Sequence, residues 1–157
     1  MQQASLPIVL VASGLLLGGP VLAAEPLQGE VLGGGAPIAD SAVTLWAAGR
    51  AAPQELGRTR TDAAGRFSLP APHAHIGTES FYLVARGGRR MANAQTGKTD
   101  NPAIALMTVL GATPSVKVTI NEMTTVASVW THNQFIEGTA IKGIARATAR
   151  AASASWS

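Results

Sequence analysis

The sequence predicts a mainly β protein, an antiparallel β-sandwich of about seven short strands followed by one or two C-terminal helices. Short apolar segments with alternating or β-branched residues recur along the chain, separated by turns that draw on 17 glycines and 9 prolines. Charged residues are only 13% of the 157 residues, which excludes a coiled coil and a charged disordered chain. After residue 120 the apolar residues recur at helical spacing instead.

The first 24 residues predict a signal peptide. They carry no charged side chain, and an apolar core from Leu6 to Leu22 is followed by the small residues Ala23 and Ala24. The stretch is short for a membrane span and is interrupted by glycines and a proline. We therefore expect a protein that is secreted, periplasmic or at the cell surface, with no membrane span after signal removal. An uncleaved anchor is the alternative, since no Lys or Arg precedes the apolar core.

Cysteine and charge counts exclude several classes of protein. The chain has no cysteine, which excludes disulfide frameworks, thiolate zinc sites and cysteine nucleophiles. The net charge is +3, but acidic and basic residues cancel between Glu25 and Glu137. The excess comes from three residues of the C-terminal segment: Lys142, Arg146 and Arg150. Because the body of the protein is neutral, we do not expect nucleic acid as a partner.

Seven segments predict strands over residues 25–120. Leu27, Gly29 and Val31 alternate with polar residues, as in a half-buried strand. Residues 62–65 predict a tight turn, around which we expect the third and fourth strands to form a hairpin. The glycine run after the first strand lacks the residues of a phosphate loop and predicts a flexible connection. The predicted strands lie at residues 27–31, 42–46, 56–61, 67–69, 81–85, 104–110 and 116–120.

The C-terminal segment, residues 121–157, predicts helix. Asn121 is the expected N-cap of a first helix, and Gly138 is its expected C-cap glycine. Its apolar residues at helical spacing are Met123, Val126, Val129, Trp130 and Ile136. A second helix is expected from Thr139 onward. Its basic residues are four apart and share one face, the basic stripe of Lys142, Arg146 and Arg150.

Part of the chain resembles a known family. The most specific motif is Thr61, Asp62, Gly65 and Phe67. The wider pattern adds Gly29, Val31, Gly35, Pro37, Ile38, Ala42, Val43, Thr44, Leu45, Thr59 and Leu69. Over about residues 26–86 this pattern resembles the carboxypeptidase regulatory-like domain of exported bacterial proteins, which has an Ig-like, transthyretin-like (prealbumin-type) β-sandwich fold. The resemblance implies an accessory module that is generally non-catalytic, and it implies no peptidase activity for this chain.

Three histidines are the candidates for a metal site. His73 and His75 flank one alanine and would point the same way in an extended segment, and His132 is the third histidine. No metal-ligand spacing accompanies them, so we interpret them as solvated polar residues and expect no cofactor. A His-dependent metallohydrolase is the alternative. Ser128 and His132 also share a helix face after Glu122, but no nucleophile turn or oxyanion donors accompany them.

Trp46 and the basic stripe are the candidates for binding. Trp46 is out of phase with Val43 and Leu45, so we expect it on the opposite sheet face, turned outward or covered by the C-terminal helix. The basic stripe would suit an anionic glycan, lipid head groups or nucleic acid, although a solvated helix face is the simpler interpretation. We expect a binding or structural role without catalysis. The alternative is docking of a polysaccharide or protein through the basic C-terminal helix.

Overall fold

The computed structural model describes residues 25–72, 79–91 and 100–142. Over these residues the chain is mainly β with one α-helix, which confirms the predicted class. The first strands are β1 (Leu27–Gly33), β2 (Ala36–Ala39), β3 (Ala42–Ala48), β4 (Gln54–Arg60), β5 (Arg66–Leu69) and β6 (Ser80–Arg86). Then follow β7 (Arg89–Arg90), β8 (Ala105–Gly111), β9 (Lys117–Ile120), α1 (Glu122–His132), a 3-10 turn (Asn133–Phe135), β10 (Ile136–Glu137) and β11 (Ala140–Ile141).

Two sheets hold most of these strands. In the four-stranded sheet the order is β4-β3-β6-β8, and every neighbouring pair is antiparallel. The other sheet has the order β5-β1-β2-β7, and β9 joins it by pairing with β1 in parallel. β10 and β11 form a separate hairpin. Four strands were not predicted (β2, β7, β10 and β11), because segments of two to four residues carry too little periodicity.

The main hydrophobic core lies between the two sheets. Alternate residues of β3 and β6 face it, and Val43 and Leu83 are completely buried there. Each large aliphatic or aromatic side chain buried in this way stabilises the fold by about 1.5–3 kcal/mol. Both sheets contribute to this single cluster, which comprises Leu27, Val31, Ile38, Val43, Leu45, Ala47, Phe67, Leu69, Phe81, Leu83, Ala85 and Ile120.

The turn at residues 62–65 is present, but the hairpin predicted around it is wrong. Gly65 has a φ of +72° and donates its N–H to the carbonyl of Asp62 at 3.0 Å. The Asp62 carboxylate accepts from the N–H groups of Ala64 and Arg66, both at 2.8 Å. β4, however, pairs with β3, whereas β5 pairs with β1 in the other sheet. The turn therefore carries the chain from one layer to the other.

The outer face of the four-stranded sheet carries a second hydrophobic cluster. Trp46 lies on this face, as its phase relative to Val43 and Leu45 predicts. The chain after α1 covers the face with Phe135, Ile136 and Ile141, so that a 3-10 turn and a hairpin contact it there. The sheet side chains of the cluster are Trp46, Ala48, Tyr82, Val84, Met107 and Val109.

The predictions for the C-terminal helices need two corrections. The first helix ends at His132, and Gly138, with a φ of +62°, lies in the turn of the β10–β11 hairpin. The second helix is wrong where the structure describes it, because Ala140–Ile141 is a strand. The N–H of Ile141 donates to the Tyr82 hydroxyl at 3.3 Å, which fixes this segment to the sheet. Residues 143–157 and the predicted signal peptide lie outside the described residues.

Three hydroxyl side chains of α1 form hydrogen bonds with backbone groups on the unpaired edge of β8. The N–H of Met107 donates to Thr125 Oγ1 at 2.9 Å, and the N–H of Val109 donates to Ser128 Oγ at 3.0 Å. Thr124 Oγ1 donates to the Met107 carbonyl at 3.1 Å. Edge strands with unpaired backbone groups invite pairing with other chains. The helix therefore closes this edge with side chains in place of another strand.

The start of α1 is fixed by the capping residue that the sequence predicts. Asn121 Oδ1 accepts from the N–H of Thr124 at 2.9 Å, and Thr124 Oγ1 accepts in return from the N–H of Asn121 at 3.0 Å. This reciprocal pair is a capping box. The 11-residue α1 is therefore anchored at its N-terminus and along the β8 edge.

Among the described residues, no helix is long and apolar enough to cross a membrane.

Replacing the edge-capping hydroxyls will destabilise the fold. We expect Ser128→Ala and Thr125→Ala each to lower the free energy of unfolding by about 1–3 kcal/mol, because a backbone N–H loses its acceptor. Thr131→Ala is the matched control, since the partners of the Thr131 hydroxyl, two carbonyls and the His132 ring, all belong to its own helix. Urea denaturation measures the difference. Equal losses in all three variants would contradict the edge-capping role.

Candidate functional site

His132 is the candidate metal ligand that the structure describes; His73 and His75 lie outside the described residues. The Nδ1 atom of His132 is 2.7 Å from Thr131 Oγ1 and 3.2 Å from the carbonyl oxygen of Ser128. Within residues 25–72, 79–91 and 100–142, no three His, Cys, Asp or Glu side chains are grouped to hold a metal ion. The metal hypothesis depends on His73 and His75 and stays a prediction.

The serine of the helix is a structural residue. Ser128 is 5% exposed, and its hydroxyl donates to the carbonyl of Thr124 at 2.7 Å while accepting from Val109. The Glu122 carboxylate accepts from the N–H of Gly34 at 2.7 Å. Both groups are therefore engaged in holding α1 to its surroundings.

Trp46 lines a cleft on the outer face of the four-stranded sheet, which we call the Trp46 cleft. Its volume is about 330 Å³, and it lies beside the turn of the β10–β11 hairpin. Small-molecule sites occupy roughly 300–1,000 Å³, so the cleft has room for a small ligand or one unit of a polymer. It is lined by Thr44, Trp46, Pro53, Arg58, Tyr82, Val84, Arg86, Thr139 and Ala140.

The indole of Trp46 is braced against a buried ring. Trp46 and Tyr82 are directly opposite each other on β3 and β6. Their rings are nearly parallel, at 14°, with centroids 6.4 Å apart, an offset stacked arrangement that aromatic pairs favour. Burial raises the pKa of the Tyr82 phenol, and the N–H of Ile141 partly offsets this rise. Tyr82 is 1% exposed, so Trp46 is the aromatic ring of this pair that a ligand can reach.

Three arginines lie beside the cleft on β4 and β6, the two strands that flank β3. Arg58 is opposite Thr44, while Arg60 and Arg86 are both opposite Ala42, so all three side chains share one sheet face. We call these three residues the arginine row. Arg86 donates to Thr139 Oγ1 at 2.5 Å.

The arginine row is only partly neutralised by the side chains around it. The carboxylate of Glu55 lies 3.0 Å from the Arg58 guanidinium, which stays 61% exposed. Arg60 donates to a backbone carbonyl, that of Asp40, at 2.8 Å. The total charge does not reveal this row, because acidic and basic residues cancel over residues 25–137. The period-two spacing of Arg58 and Arg60 on a strand is the signal that would have found it.

The basic stripe is described only at Lys142. Its amine is paired with the Glu137 carboxylate across the β10–β11 hairpin, and this contact lowers the pKa of Glu137. Arg146 and Arg150 lie outside the described residues. Lys142 directly follows β11, and the hypothesis that the three residues share one helix face stays a prediction.

A second surface is the outward face of α1. Met123, Val126 and Trp130 are 76%, 63% and 81% exposed and follow one another at i, i+3 and i+7. We call these three residues the α1 apolar face. The usual placement of the two faces of an amphipathic helix is reversed here. The hydroxyl side chains contact β8, and the large apolar side chains point away from the sheet.

A third feature is a cleft of about 670 Å³ beside the turn between β1 and β2. Gly34 and Gly35 have φ values of +56° and +76°, as a two-residue hairpin turn requires. Arg90 donates to the carbonyls of Gly33 and Gly34 at 2.6 and 3.0 Å, and Glu122 accepts from the N–H of Gly34. Glu122 thus connects the turn to the start of α1, and Arg90 connects it to β7.

No model of a known protein family matches the chain, and a search of curated proteins finds no match either. The resemblance to the carboxypeptidase regulatory-like domain therefore stays a prediction from the residues that carry it.

The contact between Glu122 and the β1–β2 turn will make stability depend on pH. The pKa of Glu122 is lowered from 4.5 by its own backbone N–H, then by that of Gly34, with Arg90 adding to the effect. A lowered folded-state pKa stabilises the protein above the ordinary value, and this stabilisation is lost as pH falls through the folded-state pKa. We expect Glu122→Gln to lower the urea midpoint at neutral pH and to differ less from wild type near pH 3.

The matched control is Glu25→Gln, which removes the same charge from an exposed position before β1. A pH-dependent difference from wild type as large at Glu25 as at Glu122 would contradict the assignment.

Proposed function

We propose that this protein is a non-catalytic, exported β-sandwich module that binds a ligand outside the cytoplasm. The observation that carries the proposal is the Trp46 cleft. An aromatic ring held in place by a buried tyrosine is flanked there by guanidinium and hydroxyl groups. Convergent polar groups around a fixed apolar surface are the usual features of a binding site. A side chain that is already fixed loses little conformational freedom when a ligand binds.

Support for a transthyretin-like sandwich of the carboxypeptidase regulatory-like type comes from the motif residues. Thr61 Oγ1 donates to the carbonyl of Ile38 at 2.7 Å and accepts from the N–H of Ser41 at 2.9 Å. It therefore ties β2 of one sheet to the chain that enters β3 of the other. Asp62 and Gly65 build the turn between the layers. These motif residues thus help to connect the two sheets.

Support for a non-catalytic role comes from the groups that would otherwise serve chemistry. The hydroxyl of Ser128 and the carboxylate of Glu122 are engaged with backbone groups, and His132 contacts the end of its own helix. Export is supported by the apolar segment that ends at Ala24.

The proposal predicts no turnover by the mature chain. We expect no product from chromogenic peptidase, esterase and glycosidase substrates, with or without added zinc, because Ser128 and Glu122 are engaged with backbone groups of the fold. Turnover that is lost in His132→Ala or His73→Ala would overturn the non-catalytic assignment. Arg66→Gln, on the other sheet, serves as the control for non-specific effects.

A second candidate function is docking of a protein partner through the α1 apolar face. The high exposure of Met123, Val126 and Trp130 favours it, because their spacing suits insertion of a helix into an apolar groove. Docking through the basic stripe stays a separate prediction, and of its residues the structure describes Lys142, which is paired with Glu137.

The docking candidate is tested by capture from an extract of the organism's own envelope. We expect wild type to retain one protein in stoichiometric amount and Trp130→Ser to lose it, since the exposed indole would supply the largest buried area. Val116→Ser is the matched control, because Val116 is also exposed, at 49%, but lies before β9. Retention of the same protein by Trp130→Ser would remove this candidate.

A further inference from the structure

We infer that the Trp46 cleft binds a saccharide ring that carries a carboxylate or sulfate group, as one unit of an acidic polysaccharide. The inference rests on the proposed binding function and adds the chemical class of the ligand. It is carried by the placement of one accessible indole beside the arginine row.

The aromatic part of the cleft suits the apolar face of a sugar. The electron-rich face of an indole attracts groups with a partial positive charge, such as the C–H bonds on one side of a pyranose ring. Trp46 is half-buried, and its stacking on Tyr82 favours the orientation in which one face of the indole borders the cleft. The hydroxyls of Thr44 and Thr139 also line the cleft and can both donate to and accept from sugar hydroxyls.

The charged part of the cleft selects an anion. Arg58 and Arg86 line it from β4 and β6, on either side of β3. A guanidinium presents paired N–H donors that match the two oxygens of a carboxylate or sulfate. The carboxylate of Glu55 pairs with Arg58 and not with Arg86. The Thr139 hydroxyl accepts a hydrogen bond from Arg86 but carries no charge to neutralise it. An uncharged sugar would leave these guanidiniums without a matching group.

The position of Arg60 indicates a polymer. Arg58 and Arg60 are two residues apart on β4, which corresponds to about 7 Å along a strand. A chain with a charge on successive units therefore meets a second guanidinium after leaving the cleft. Single-stranded nucleic acid, the other polyanion, is held by several aromatic rings that stack successive bases. Here Trp46 is the accessible ring, so the arrangement favours the saccharide.

The inference is tested by titrating the mature protein with four polymers and following tryptophan fluorescence. The polymers are polygalacturonate for carboxylate, dextran sulfate for sulfate, dextran as the neutral saccharide and oligothymidylate as the nucleic acid. We expect saturable binding of a carboxylated or sulfated saccharide that weakens as salt is added. We expect Arg86→Gln and Arg58→Gln each to raise its Kd about tenfold, the scale of one lost charged hydrogen bond.

Arg66→Gln is the matched control, because it removes the same charge from β5 in the other sheet and should leave the Kd within about twofold. The substituted residues, Arg58, Arg66 and Arg86, are exposed, and unchanged thermal unfolding will show that each variant folds. Preference for polygalacturonate or for dextran sulfate identifies the oxyanion, and either result supports the inference.

Three results would overturn the inference. Equal binding of dextran, unaffected by Arg86→Gln, would show an uncharged ligand but leave a binding module in place. Tighter binding of oligothymidylate than of both acidic saccharides would assign the cleft to nucleic acid. Failure to bind either acidic saccharide would remove the ligand class, whereas the proposed function fails separately, through turnover in the substrate assays.

Discussion

The hydrogen bonds between α1 and the edge of β8 are the constraint on which the orientation of α1 and the position of the following chain depend. The N–H groups of Met107 and Val109 need acceptors, and hydroxyls of Thr125 and Ser128 supply them. Once those hydroxyls face the sheet, the helix has only one rotation available about its axis. That rotation turns Trp130 and its apolar neighbours outward and brings the following chain to the outer face of the four-stranded sheet.

Both candidate binding surfaces are consequences of this arrangement. The 3-10 turn and the β10–β11 hairpin bring Phe135, Ile136 and Ile141 onto one part of the outer face. The part next to it remains open as the Trp46 cleft, with Thr139 of the hairpin at its rim. The Tyr82 hydroxyl accepts from the hairpin and its ring supports Trp46, so one buried residue connects the covered and the open parts of the sheet.

Much of the framework was predictable because its determinants are local. Alternation predicts β1, a β-branched apolar run predicts β3, Asn121 marks the start of α1, and Asp62 with Gly65 marks a tight turn. The end of α1 was not predictable, since Ile136 continues the helical spacing although it lies in a strand. The candidate site was half predicted. Trp46 was identified by its phase, but the arginine row was hidden in a total charge that cancels.

Local chemistry in the chain settles where strands run, where turns are tight and which residue caps the helix, because these depend on neighbours within a few positions. Strand pairing is different. A turn such as residues 62–65 permits either a hairpin or a crossing between layers, and burial of Phe67 and Leu69 against the other sheet decides for the crossing. The grouping of Trp46, Arg58 and Arg86 likewise arises from pairing between distant strands. Only the folded chain brings such residues together, because no local rule specifies which strands become neighbours.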